Sequence, residues 1–390
     1  RPELPDIDVD SESSKRQDIL DLVKQNYGHE NVLNIGTYTT EGPRSASLTA
    51  CRALGIDPDT AQNITNSIPN DKGVSWDLID VFYGNEKKNR KPDIRFKNIV
   101  NEYDGLEELM VQSQGLVSGR GQHASGLVVF PNGYVKQNAM MKTTSNKEIT
   151  QFDANDTLFM GGLKYDFLSI NALDRIRASL DLLLENNKIE WQGSLKSTYN
   201  KYLHPDVLEM EHPKMFDLLY FGDIIAAFQF ETITGRATLE KVKARTFEEL
   251  SAANSLMRLS VDNGEQPVER YIRYKNNPNE WEQDMINHGL NSEERAILHK
   301  HLDSRYGVCD TQELLMMLSM DEKISGYDLI EANVLRKTVS KRNPKAQEKQ
   351  RDYFFDKCRA NGTSDLMAKY VWHECFGIQL GYSFSLPHIA

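Results

Sequence analysis

The stretch Leu4-Pro5-Asp6-Ile7-Asp8-Val9-Asp10 constrains this 390-residue chain more than any other. Acidic and apolar residues alternate with the period of an extended strand, so Asp6, Asp8 and Asp10 are expected on one face. Carboxylates lined up in that way repel one another unless water solvates them fully or a cation sits among their oxygens. A half-buried strand with its apolar side inward would show the same alternation. A second strand-like segment, Leu163-Lys164-Tyr165-Asp166-Phe167-Leu168, weighs against that plainer reading by placing an amine and a further carboxylate on one face. Together the two segments supply acids for a metal pair and a cation for a polyphosphate. Carboxylate oxygens are the hard ligands that suit Mg²⁺, an ion that keeps positions open for substrate phosphates, and the chemistry this points to is phosphoryl transfer.

The formal net charge of −11 counts against nucleic acid as a partner, because Lys and Arg drive binding to a phosphate backbone. Local distribution reverses that expectation. Between Leu335 and Arg351 the chain concentrates Arg336, Lys337, Lys341, Arg342, Lys345, Lys349 and Arg351 against the single acid Glu348. With 26% charged and 39% hydrophobic residues the chain is neither disordered nor membrane-spanning, and its length suggests two or three domains. No apolar run approaches the roughly 18 residues of a membrane span. Cys51, Cys309, Cys358 and Cys375 form no C-x-x-C pair, which argues against a zinc site or disulfide framework and for a reducing cytoplasm. His299 and His301 stand two apart on a helical pattern, face different ways, and read as surface residues. A start at Arg1, with no signal-like segment, suggests a processed or excised piece of something longer.

After the opening strand, Ser13 or Ser14 is placed to cap a helix with Ile19, Leu20, Leu22, Val23 and Tyr27 on one stripe, closed by Gly28. A β-rich run covers Val32 to Thr40. Helices are expected from Arg44 to Leu54 and after the Asp57-Pro58 cap, and helical sequence continues to about Gln114 as an insertion into a sheet domain. Ser118 to Gly126 reads as a glycine-rich turn at which backbone N–H groups and Arg120 could meet a phosphate, although a plain surface turn has the same composition. Strands resume at Gly126 to Phe130, Ile149 to Phe152 and Leu163 to Leu168. Helical periodicity dominates from Asn171 onward.

Taken in order, these pieces resemble the catalytic alpha subunit of bacterial replicative DNA polymerase III, the C-family polymerases. Pro5-Asp6-Ile7-Asp8-Val9-Asp10 is similar to that family's P-D-[FI]-D-x-D strand, Gln122-His123-Ala124-Ser125-Gly126 to its H-A-[AGS]-G turn, and Thr150-Gln151-Phe152-Asp153 to its T-Q-[FY]-[DE] strand. Gly162 to Leu168 resembles its G-L-[VL]-K-[FM]-D-[FL]-L segment. Further matches are Ala227-Phe228-Gln229-Phe230-Glu231, Tyr306-Gly307, Gln312-Glu313, Ser325-Gly326-Tyr327, Leu335-Arg336-Lys337 and Gly381-Tyr382-Ser383-Phe384.

The resemblance implies an α+β chain: a polymerase-β-like nucleotidyltransferase palm with a mixed sheet (1–37 and 115–168), an inserted helical thumb (38–114), and mostly helical, truncated fingers (169–390). It implies two Mg²⁺ ions, bound with substrate, on Asp6, Asp8 and Asp166, with Asp10 a strand-face or supporting residue. Lys164 would lie near the primer end and phosphates, Arg336 and Lys337 would grip the triphosphate, and His388 would stand beside the incoming sugar. Arg120, Lys341 and Arg342 are the expected contacts to DNA phosphates. Primer-template DNA, deoxynucleoside triphosphates and other polymerase fragments or replisome subunits are the expected partners. The family's R-P-G-P turn appears as Arg258-Leu259-Ser260 and its F-N-K-S-H as Phe384-Ser385-Leu386-Pro387-His388, which keeps the charged or titratable groups on altered loops. Two other functions compete with a polymerase core: a catalytically silent, polymerase-derived DNA-binding or scaffold subunit, and a nucleotidyltransferase acting on another substrate. A silent subunit has no use for a repulsive row of acids, and a transferase of small substrates has little use for the basic run.

Overall fold

A computed structural model describes residues 7–71, 74–88, 90–131, 138–210, 212–225, 227–261, 264–341, 343–382 and 384–385. The chain divides into two compact units, Arg1–Arg177 and Ala178–Ala390.

The first unit is built on a six-stranded mixed sheet of order β1-β8-β5-β2-β7-β6. Its strands are β1 (Ile7–Glu12), β2 (Val32–Thr40), β5 (Val117–Val129), β6 (Met140–Lys142), β7 (Glu148–Thr150) and β8 (Leu163–Ile170); β3 (Asn70–Asp71) and β4 (Val74–Ser75) form a separate ribbon. β1 and β8 run parallel, and β5 is antiparallel to both β8 and β2. The alternation in the opening stretch sorts its residues between two faces. Val9, Tyr165, Phe167, Leu127 and Val32 pack beneath α1 (Arg16–Tyr27), which inserts Leu20 among them. Asp8 and Asp166 take the opposite face, where Leu33, Ile35, Val128 and Phe130 make a second core.

Gly28 ends α1 at φ 90°, but neither Ser13 nor Ser14 caps it. Both serines instead bond to Asp174 in α8 (Asn171–Glu185): the Ser13 N–H donates to the carboxylate at 2.9 Å and the Ser14 hydroxyl at 2.7 Å. Leu22 and Tyr27 also leave the expected stripe for solvent. The helix is held by Leu20, with Ile19 and Val23 beside it.

Between β2 and β5 the chain forms α2 (Pro43–Ala53), α3 (Pro58–Asn66), α4 (Leu78–Tyr83), α5 (Ile94–Val100) and α6 (Leu106–Ser113). These helices bury a core of their own, including Ile64, Leu78, Phe82, Phe96, Leu106 and Met110. The Asp57 carboxylate accepts the Thr60 N–H at 3.0 Å, and Pro58 takes the first turn, where its missing N–H costs nothing. Both ends of the insertion are joined by one strand pair, Thr40 opposite Val117.

The glycine-rich segment Ser118 to Gly126 is neither a turn nor an open phosphate loop. It lies within β5 and pairs with β2 from Val117 to Gln122, with a bulge opposite Ile35 before the ladder resumes at Leu127. Glycine's weak strand preference hid a long strand whose partner supplies the order.

The second unit is helical around one core that includes Leu239, Tyr271, Trp281, Leu315, Leu335, Phe354 and Phe376. Its Tyr306-Gly307 and Ser325-Gly326-Tyr327 motifs are structural: the Tyr306 hydroxyl donates to Glu249 at 2.9 Å, and the Ser325 hydroxyl to the Ser319 carbonyl at 2.6 Å. His301 is not a surface residue; its side chain is 7% exposed and its Nε2 lies 2.7 Å from Asp321. His299 stands between Glu282 and Asp303. The four cysteines are buried and unbridged. Among the described residues no helix is long and apolar enough to cross a membrane.

Candidate active site

In the first unit, Asp8 and Asp166 are direct register partners on adjacent parallel strands. Register partners project to the same face, and strands lie about 4.8 Å apart, so the two carboxylates are neighbours. Lys164, two residues before Asp166, shares that face, and its ammonium stands 2.7 Å from the Asp166 carboxylate. That contact offsets part of the repulsion between like charges on adjacent strands. Asp166 is 9% exposed while Asp8 is exposed, so the pair grades from protein into solvent. Asp10, the register partner of Leu168, is an exposed residue further along the strand. Asp6 lies outside the described residues.

The bulge in β5 supplies the third side. Its Ser125 hydroxyl donates to Asp166 at 3.2 Å, while His123 Nδ1 accepts the Gly126 N–H at 2.6 Å and the Ser125 N–H at 3.3 Å. A ring nitrogen that accepts two backbone hydrogens carries no proton of its own. The 3.8 Å approach of His123 Nδ1 to Asp166 is therefore a contact with a neutral imidazole, not an ion pair. Gly126 is the register partner of Asp166, and a Cβ there would fall 2.6 Å from His123 Nδ1. From α1, Arg16 donates to the Ala124 carbonyl at 2.5 Å and fixes the same bulge. The sequence motif pointed to His123, Ser125 and Gly126 without roles; Arg16 carried no signal, because the contact crosses 108 residues of chain. Arg120 is exposed on β5 opposite Tyr38.

Thr150 of the Thr150-Gln151-Phe152-Asp153 motif is buried, with its hydroxyl accepting the Gly36 N–H at 2.9 Å and donating to the Phe152 carbonyl at 2.8 Å. Asp153 caps α7 (Ala154–Phe159). This motif shapes the sheet and its crossing to β8 and does not reach the acids.

Within the second unit, five separated motifs meet. Arg336, on the helix Leu329–Val339, donates to the Gln312 side chain at 2.5 Å and to Asn333 at 2.8 Å. Gln312 opens the helix Gln312–Met320, where its N–H is one of the unpaired donors of a first turn, and it finds the Phe384 carbonyl at 2.8 Å. Arg258 lies over the Phe384 ring at 4.6 Å and donates to Gln229. Gln229 itself is held at φ 68°, a conformation costly to residues other than glycine. Lys337 is partly buried and Lys341 exposed. Arg342 and His388 lie outside the described residues.

Behind this cluster Asp310 is fully buried. The Ser255 hydroxyl donates to its main-chain carbonyl at 2.5 Å, which leaves both carboxyl oxygens without a hydrogen-bond partner among the described residues. Burial pushes this carboxyl up to about 6, against the opposing pull of the Arg305 guanidinium 3.9 Å away. The folded chain thus keeps a proton that an unfolded chain loses near pH 3.8, and the resulting stability is present below that pH and lost as the pH rises through 6. Asp310→Asn should remove this loss, raising stability at pH 7.5 by up to about 3 kcal/mol. Denaturant titrations of parent and variant test it; a difference that does not change between pH 4 and 7 contradicts the assignment.

A mixed sheet flanked by helices, with paired acids and an adjacent lysine at its edge, makes this an α+β protein. A family model for the bacterial DNA polymerase III alpha NTPase domain matches residues 1–169, and one for the finger domain of the same subunit matches residues 179–362. The chain belongs to the bacterial DNA polymerase III alpha family. It is 46% identical over 388 residues to the "Probable DNA polymerase YorL" of Bacillus subtilis and to the "DNA-directed DNA polymerase" of Bacillus phage SPbeta, covering 100% of this chain and 30% of each relative. It is 26% identical over 379 residues to the "DNA polymerase III subunit alpha" of Staphylococcus epidermidis, covering 95% of this chain and 32% of that protein. The chain thus spans about a third of the length of these relatives.

Proposed function

We propose that this chain is the catalytic core of a template-directed DNA polymerase, transferring a nucleotide from a deoxynucleoside triphosphate to a primer 3′ hydroxyl. The observation that carries the reading is the register pairing of Asp8 with Asp166, with Lys164 in contact, in a chain of this family. On this reading the sheet of the first unit is the palm, the helices between β2 and β5 are the thumb, and the second unit holds the fingers.

Mg²⁺ suits the donor set, since carboxylate oxygens on neighbouring strands are hard ligands at a spacing compatible with two ions roughly 4 Å apart. Asp8 and Asp166 would hold the ions together with Asp6, which shares their strand phase in the sequence. Bound there with substrate, the pair supplies the Lewis acidity of nucleotidyl transfer. The protein's own groups do the rest. Lys164 balances the charge of Asp166 and can redirect a hydrogen bond of its ammonium to a substrate phosphate oxygen. Ser125 bonds the Asp166 carboxylate, and His123 holds the Ser125 and Gly126 backbone that presents that hydroxyl. Arg336 and Lys337 grip the triphosphate, with Gln312 aiming the guanidinium. Arg120, Lys341 and Arg342 contact DNA phosphates, and His388 stands against the incoming sugar.

Arg336→Ala in the full-length protein should raise the KM for nucleotide by roughly 10- to 100-fold, the worth of hydrogen bonds between a guanidinium and phosphate oxygens. The change should fall mainly on KM. Steady-state primer extension at varied nucleotide tests this, and an unchanged KM returns Arg336 to a structural role beside Gln312.

A further inference from the structure

We infer that the face of the first unit's sheet opposite Asp8 and Asp166 carries a second anion site, shaped for the phosphodiester backbone of a single nucleic-acid strand. A groove of about 690 Å³ lies there, walled on one side by Arg16 and Lys24 of α1 and on the other by Lys142 and Lys147 of the β6–β7 hairpin. Val32 to Asn34 of β2 form its floor. Arg16, Leu20 and Lys24 follow one another at intervals of four, so a single helical stripe presents both cations while the buried Leu20 anchors the stripe to the core. Because α1 covers the face of Val9 and Phe167, the groove is separated from the acids by the sheet itself.

The charge balance is what demands a ligand. His29 adds a fifth basic group to the lining, and Glu148 is the one acid in it. Lys24, Lys142 and Lys147 enter no ion pair with another described residue, in a chain whose net charge is −11. Lysine on an edge strand commonly blocks unwanted pairing, and β6 is an edge. That explanation covers Lys142 but not the cations of α1 that line the same groove. Like charges gathered in a concavity raise the local potential and concentrate polyanions. The remaining polar lining consists of amides such as Gln17, Asn34 and Gln122, with no Phe, Tyr or Trp ring on which successive bases could stack. Recognition is thus of the backbone and independent of sequence. A strand held here is a different segment from any primer end at Asp8 and Asp166.

The test is fluorescence anisotropy of a labelled single-stranded oligonucleotide with the full-length protein, in EDTA and without nucleotide, over a series of salt concentrations. Lys142→Glu/Lys147→Glu should weaken binding and lower the slope of log K against log salt by about 1.4, at about 0.7 for each lost phosphate contact on a single strand. Lys188→Glu/Lys196→Glu, exposed lysines of the second unit, makes the same change in net charge and should leave the slope unaltered. Equal slopes for the first variant and the parent, or equal losses in both variants, overturn the site. A duplex whose slope falls as far overturns the single-strand assignment, and tripolyphosphate that competes as well as the oligonucleotide at equal phosphate concentration overturns the nucleic-acid one. The assay needs neither metal nor catalysis, so its failure leaves the polymerase reading intact, and a failure of that reading leaves the groove intact.

Discussion

Asp166→Asn should reduce primer extension by the full-length protein at least about a thousandfold while leaving its affinity for primer-template within a few-fold of the parent. The magnitude follows from the several kcal/mol that a metal contributes to transition-state charge stabilisation, at 1.36 kcal/mol for each factor of ten. The amide keeps the volume of the carboxylate and can still accept from Ser125 (now 3.2 Å from Asp166). It loses the charge that Lys164 meets at 2.7 Å, and with both side chains little exposed that loss should cost some stability as well as activity. Thermal unfolding of the same preparation is the control. Extension at the parental rate would show that Asp166 holds no catalytic metal, whereas no extension by the parent itself would favour a silent, DNA-binding descendant of a polymerase over an enzyme.

The second large effect is expected from a single methyl group. Gly126→Ala places a Cβ 2.6 Å from His123 Nδ1 and 3.1 Å from Ile35 Cδ1, against the ring that receives the Ser125 and Gly126 N–H groups. Overpacking of this kind costs about 1–3 kcal/mol, and each hydrogen bond lost adds roughly 1 kcal/mol. A destabilisation of about 3 kcal/mol is expected, which in a unit of this size lowers Tm by roughly 6–12 °C. Since Ser125 bonds Asp166, the shift should carry to the acids, and misplacement by about 1 Å can cost a hundredfold in rate. A double-mutant cycle separates this mechanism from a general defect in the sheet. In a His123→Ala background the ring is gone, and Gly126→Ala should then cost under about 1 kcal/mol. An undiminished cost there would place the clash elsewhere.

Much of this architecture was legible in the sequence because it is local. The 2-residue period of Asp8 to Asp10 and of Lys164 to Asp166 gave which of these residues share a face, and β2 occupies Val32–Thr40 as its β-rich composition suggests. Asp57-Pro58 and Gly28 mark helix ends through backbone chemistry that needs no distant partner. The failures share a cause. Ser13 and Ser14 look like caps until Asp174 draws them away, and Ser118 to Gly126 looks like a turn until β2 offers it a ladder. His301 looks like a surface residue until Asp321, 20 positions later, pairs with it in the interior.

The sequence by itself determined the chemical inventory: acids in strand phase, a lysine two residues from Asp166, and a basic run after Leu335. Side-chain alternation and charge are properties of a few consecutive residues, so they survive without a fold. Only the tertiary structure decided that Asp8 stands beside Asp166 and not one residue out of step, since a slip of one would send one carboxylate through the sheet. It also decided that His123 is a neutral acceptor, that Gln312 and Phe384 share a bond beside Arg336, and that lysines from the β6–β7 hairpin join α1 around one groove. Each of these joins residues far apart in the chain, and such contacts form only where burial of the cores offsets the entropy of closing the loops between them.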